Sequence, residues 1–129
     1  MDLARGIIEI EGEHFYPGYT FDDFKKSAFY HHQTDISIFA LNNGQSPITL
    51  DGHLFVITVL FYDSKLRILS LYCVDEDISY EQEKRRKKLH KKVLKEYGLS
   101  RANVFSWGKV ESVYDPRIAR YSIDIVYNL

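Results

Sequence analysis

The stretch ITLDGHLFVITVLFYDSKLRILSLYCV, residues 48–74, decides the fold. It holds two long runs of Val, Ile, Leu, Phe and Tyr, each bounded by turn residues. Asp51-Gly52 is the dipeptide favoured by a type I′ hairpin, where both central residues take positive φ. The tetrapeptide Tyr62-Asp63-Ser64-Lys65 reads as a second turn, of type I character. The pattern predicts two antiparallel neighbouring strands, 54–62 and 66–74, with a short extra strand over 48–50. Their near-continuous apolar content places them centrally, with at least one face under a helix.

Toward the N-terminus, residues 7–15 alternate, with Ile8 and Ile10 on one face and Glu9 and Glu11 on the other. This predicts a first strand, at an edge because it is so acidic. Tyr16-Pro17-Gly18-Tyr19-Thr20 is a turn, and Thr20 a good helix N-cap, with Asp22 and Asp23 in the first turn where the dipole favours anions. Phe21, Phe24 and Ala28 stand at helical spacing, so the helix is expected over 21–30. A strand over 36–40 follows and ends at Asn42-Asn43-Gly44.

Toward the C-terminus, Ser79 and Gln82 have the spacing of a capping box, and Gly98 suits the position just past a helix end. A helix is predicted over 80–97, with Leu89, Val93 and Tyr97 as its buried stripe. Upstream of Leu89 only Tyr80 is apolar, so the first two turns are expected to stand off the core. Strands over 104–114 and 121–127, joined by residues 115–120, close the chain. The expected fold is a single α+β domain, 1–129. Its antiparallel sheet has five to six strands with two helices on one face, in the order β-α-β-β-β-α-β-β.

The 129 residues are 45% apolar, enough for one core, and carry a net charge of −1. That charge is unevenly spread. Residues 79–97 hold eight basic and three acidic side chains, so they carry +5 and the rest of the chain −6. Cys73 stands alone, which excludes an intrachain disulfide and four-cysteine zinc sites. The first fifteen residues show no long apolar run or cleavage site, and a soluble cytoplasmic protein is expected.

The basic segment admits three readings. It is a solvated helix face, with Glu81–Arg85 and Glu83–Lys87 as supporting i,i+4 pairs. It binds an acidic protein partner, as the ten tyrosines also suggest. Or it binds nucleic acid, against which Asp75, Glu76 and Asp77 would repel phosphate. The candidate partner-binding residues are Lys84, Arg85, Lys87, Lys88, Lys91, Lys92 and Lys95, with Arg117 and Arg120 in the last loop.

Catalytic signals are weak. The histidines at 14, 31, 32, 53 and 90 are dispersed, no metal-ligand spacing appears, and His90 is placed at the sheet rim. Cys73 lies mid-strand with no cation evident beside it, so an inert buried thiol is expected. Asp115 next to Arg117 could sit in a site, but nothing in the sequence selects them. Phosphate-cradling glycine loops, nucleophile elbows and dinucleotide fingerprints are missing, so no catalytic residue, metal or cofactor is assigned.

Trp107-Gly108 interrupts its strand, which suits a bulge or a close backbone approach, with Trp107 covering the sheet end under a helix. Phe105, Trp107, Gly108, Val110, Ser112, Tyr114, Asp115, Ile123, Ile125 and Tyr127 form a pattern that resembles small bacterial α+β proteins, some of them immunity proteins of toxin systems. Residues 17–27 resemble the turn-helix opening of small α+β binding domains such as outer-membrane assembly lipoproteins and β-lactamase inhibitor proteins. The resemblance implies a non-enzymatic domain that occludes a protein partner. A nucleic-acid-associated protein and a small enzyme without a recognisable motif are the alternatives.

Overall fold

The computed structural model describes all residues except 32–37, 42–45, 117 and 129, and Tyr80 without its side chain. In chain order the elements are β1 (Ile8–Ile10), β2 (Glu13–Phe15), α1 (Phe21–Lys25), β3 (Ile38–Ala40), β4 (Ile48–Leu50), β5 (His53–Tyr62), β6 (Lys65–Cys73), α2 (Glu83–Glu96), β7 (Ala102–Phe105), β8 (Gly108–Asp115) and β9 (Arg120–Tyr127). Seven strands form an antiparallel sheet in the order β3-β5-β6-β9-β8-β7, and β4 shares the outer edge of β5 with β3. The α+β class and the long β5–β6 pair stand as expected, with Phe55 opposite Cys73 and Tyr62 opposite Lys65.

Turn chemistry explains most of the local outcome. Asp51 and Gly52 have φ of 51° and 85°, the type I′ hairpin that the sequence calls for. Asp63 and Ser64 also take positive φ, 51° and 63°, so this turn is I′ rather than type I. A two-residue hairpin between long twisted strands favours the turn whose twist matches theirs, and that outweighs the modest cost of left-handed Asp and Ser.

The expected first strand is a hairpin. Glu11 and Gly12, with φ of 49° and 84°, divide it into β1 and β2, which form their own two-stranded sheet beside β4. Residues 104–114 are likewise not one strand, since the chain reverses at Ser106-Trp107 and leaves Phe105 opposite Gly108. The close approach expected at Gly108 is present, because a Cβ there would lie 1.9 Å from the Val126 carbonyl oxygen. Trp107 covers the N-terminal segment rather than lying under a helix. Its indole donates to the Leu3 carbonyl at 2.7 Å, and its ring fills the space that a Cβ on Gly6 would need.

In α1, Thr20 and Asp23 make a reciprocal capping box, at 3.1 and 3.0 Å. The helix ends at Lys25, five residues before the expected end. The Ser27 hydroxyl donates to the Phe24 carbonyl at 2.7 Å and turns the chain there. Phe24 packs on Phe39 and Phe61 of the sheet. A 3₁₀ turn, Tyr80–Gln82, precedes α2, and Ser79 makes no side-chain cap bond, so the second expected capping box does not form. The far end behaves as expected. Gly98 takes φ of 72°, its N–H donates to Lys95, and the Leu99 N–H donates to Leu94, a Schellman arrangement.

Phe55, Ile57, Val59, Leu69, Leu71, Ile123 and Ile125 face inward, and Leu89, Val93 and Leu94 of α2 complete one core with them. Lys84, Lys88 and Lys91 are exposed. Leu89→Ala should therefore lower the unfolding free energy by about 2–4 kcal/mol in urea titration through the cavity it leaves. Lys88→Ala should change it by less than about 0.5 kcal/mol. A Leu89→Ala cost as small as that of Lys88→Ala would mean the helix face is assigned wrongly.

Candidate functional site

Helix α2 is pinned by a buried polar stripe. Arg86 is 2% exposed and His90 fully buried, which corrects both the expected stand-off of the first turns and the rim placement of His90. The Arg86 Nε donates to Glu83 Oε1 at 2.7 Å, and its Nη1 donates to the Cys73 carbonyl. The other Glu83 oxygen accepts from the Tyr121 amide at 2.8 Å. The Cys73 amide donates to His90 Nε2 at 2.9 Å. Strand β9 pairs with β6 only as far as Leu71, so the last peptide of β6 lacks a strand partner on that side. Side chains of α2 take its place.

That pinning turns the cationic face outward over a groove of about 780 Å³. Lys84, Lys87, Lys88, Lys91 and Lys95 form one wall, and Ser100, Arg101 and Ser112 the other. Leu94, Leu99 and Tyr121 supply the apolar part of the lining. Its six cationic residues have no carboxylate beside them in the lining, and none makes an ion pair among the described residues. Lys87 Nζ sits 5.7 Å from the Tyr121 ring centre.

The remaining candidate residues lie elsewhere. Arg85 pairs with Glu76 at 2.9 Å and Gln82 at 3.2 Å, not with Glu81. Glu83 pairs with Arg86 rather than Lys87, because that carboxylate points inward. Lys92 is exposed outside the groove. Arg120 lies 5.1 Å from the Tyr72 ring centre, also outside it. Arg117 lies outside the described residues. Leu99, Ser100 and Arg101 are lining residues that the sequence did not single out, and Ser112 and Tyr121 entered only as strand positions. Only the Gly98-Leu99 helix end foreshadows one of them, since the residue after a C′ glycine often packs back on its helix.

A second cluster lies at the other end of α2. His53 donates from Nδ1 to Asp75 and from Nε2 to Glu96, both at 2.6 Å. The Asp75 bond first and the Glu96 bond second raise the imidazole pKa above its ordinary 6.5. Donor atoms of His53, Cys73 and Asp75 lie within 4.8 Å of one another. Cys73 also has a cationic neighbour that the sequence did not reveal, Arg86, whose charge acts to lower the thiol pKa. Burial still dominates and pushes the thiol up to about 11. Both ring nitrogens of His53 are engaged by carboxylates, so a metal bound to this cluster would have to displace one of those contacts.

Comparison with protein-family models, curated proteins and solved structures finds no match for this chain. Among the described residues, no helix is long and apolar enough to cross a membrane.

The two helix-bound histidines impose opposite pH dependences. Burial, and secondly the Arg86 charge, lower His90 from 6.5 to about 3. The unfolded chain binds a proton there that the folded chain refuses, so stability falls as pH drops from about 6.5 toward 3. His53 has the opposite sign. Its contribution is complete below pH 6.5 and is lost as pH rises through its raised folded value. In thermal melts across pH, His90→Gln should flatten the acid limb and His53→Gln the limb above pH 6.5. Unchanged limbs in both variants would contradict these assignments.

Proposed function

We propose that this chain is a non-enzymatic protein-binding domain whose α2 groove receives an acidic segment of a partner protein. The six cations lining that groove without a lining carboxylate carry this reading. Together with the sequence pattern around Trp107, it extends to the neutralisation of a bacterial toxin by occlusion.

Charge distribution favours a protein over a nucleic acid. The residues outside 79–97 carry −6, so a polyanion running beyond the groove meets repulsion from the body of the chain. A short acidic segment of a protein can end where the groove ends. Glu76 adds less to this repulsion than the sequence suggests, because Arg85 pairs with it. The apolar floor of Leu94, Leu99 and Tyr121 also suits side chains better than phosphates.

Simultaneous reversal of Lys84, Lys87, Lys88 and Lys91 to Glu should leave the fold intact, since all four are exposed. Calorimetric titration with a glutamate-rich peptide should show affinity down at least about tenfold at low salt, with the gap narrowing as screening rises. Gel shifts of the wild type with single-stranded and duplex oligonucleotides should show little binding at physiological salt. Tight oligonucleotide binding with a steep salt slope, lost on charge reversal, would replace this reading with nucleic-acid binding.

A further inference from the structure

We infer that the acidic segment binds as an added β-strand on the outer edge of β7, with alternate side chains reaching into the lysine groove. This rests on the groove reading above and states how the partner docks. Strand β7 is the last strand of the sheet, beside the groove wall formed by Ser100 and Arg101. The Arg101 carbonyl accepts from the Ser112 amide at 2.8 Å, and Phe105 closes the two-residue turn opposite Gly108. In an antiparallel ladder the bonded positions alternate, so residues 101, 103 and 105 bond to β8. The N–H groups of Ala102 and Val104 and the Val104 carbonyl therefore point outward, while the Ser100 hydroxyl donates to the Ala102 carbonyl at 3.1 Å.

This edge is only four residues long, but its side chains do not block it. Residues 102–105 contain neither proline nor a charged side chain, and Val104 is 86% exposed. Register also dictates what the added strand must look like. Arg101 lines the groove, so Asn103 and Phe105 share its side of the sheet, and Ala102 and Val104 face the other. An added strand would then alternate, with acidic residues toward Arg101 and the α2 lysines and apolar residues beside Val104. The lysines from Lys84 to Lys95 span about 16 Å along the helix, the length of roughly five extended residues. Charge complementarity selects the occupant, and main-chain bonds to Val104 hold it as a strand.

The probe is an end-blocked (Glu-Val)4 peptide, with a twin N-methylated at every residue so that its charge stays and the main-chain donors of both edges are lost. Val104→Pro removes only an outward N–H and leaves the bonds of 103 and 105, and Val104→Thr keeps that N–H. By calorimetry the N-methylated peptide, and Val104→Pro with the parent peptide, should each bind at least about tenfold more weakly, while Val104→Thr stays within about twofold. Equal binding of the parent and N-methylated peptides, with lysine reversal still damaging, overturns strand addition and leaves the groove reading standing. Parent-peptide binding that lysine reversal does not change removes the groove reading itself. The N-methyl arm needs no protein variant, so misfolding of Val104→Pro leaves the test decisive.

Discussion

The peptide groups of Cys73, at the end of β6, set the position of α2 on the sheet. The Cys73 N–H donates to His90 and the Cys73 carbonyl accepts from Arg86. An unsatisfied buried backbone group costs about 1–3 kcal/mol, and breaking one side of a buried ion pair about 3–5 kcal/mol. Glu83, Arg86 and His90 lie at i, i+3 and i+7, so all three meet the sheet only in one helix phase. That phase sends Leu89, Val93 and Leu94 into the core and the lysines toward solvent. Any other rotation would bury lysines and strand the Cys73 peptide.

The same geometry decides which charges remain free. Carboxylates around the helix are used at its two ends: Glu83 by Arg86, Glu76 by Arg85, and Asp75 with Glu96 by His53. The middle lysines, with Lys84 and Lys95 at the flanks, receive no acidic neighbour. A solvated helix face would be expected to interleave its charges and gain a few tenths of a kcal/mol per i,i+4 pair. Here both expected pairs are forgone, since Glu83 turns inward and Arg85 reaches Glu76. The result is a concentrated positive field over an apolar floor, the physical basis of the proposed acidic partner.

Much of the fold was legible in the chain. Asp51-Gly52, the two apolar runs around Asp63-Ser64, Thr20 and Gly98 act through local backbone preferences, and these survive in the structure. The hairpins at Glu11-Gly12 and Ser106-Trp107 were hidden because neither turn has the Asn-Gly or Asp-Gly signature, and the reversal shows only as a change of parity in the inward positions, from Ile8 and Ile10 to Phe15 and from Phe105 to Val110. The lysine wall was visible as composition. Its opposing wall was not, because Arg101, Ser112 and Tyr121 come together only through the β7–β8–β9 register. His90 and Arg86 misled for a physical reason. Both are polar, and their burial is made favourable by a strand end that no local pattern announces.

The most direct measurement is native-state hydrogen exchange at the Cys73 amide. Strand β9 does not reach it, so without α2 it would fray like other strand ends. Bound to His90 and closed over by Arg86, it should exchange only with global unfolding, at the free energy shown by the Ile57 amide in the centre of β5. Exchange of Cys73 at rates typical of exposed turns, while Ile57 stays protected, would mean that this peptide does not hold the helix, and the placement of the lysine groove would lose its cause.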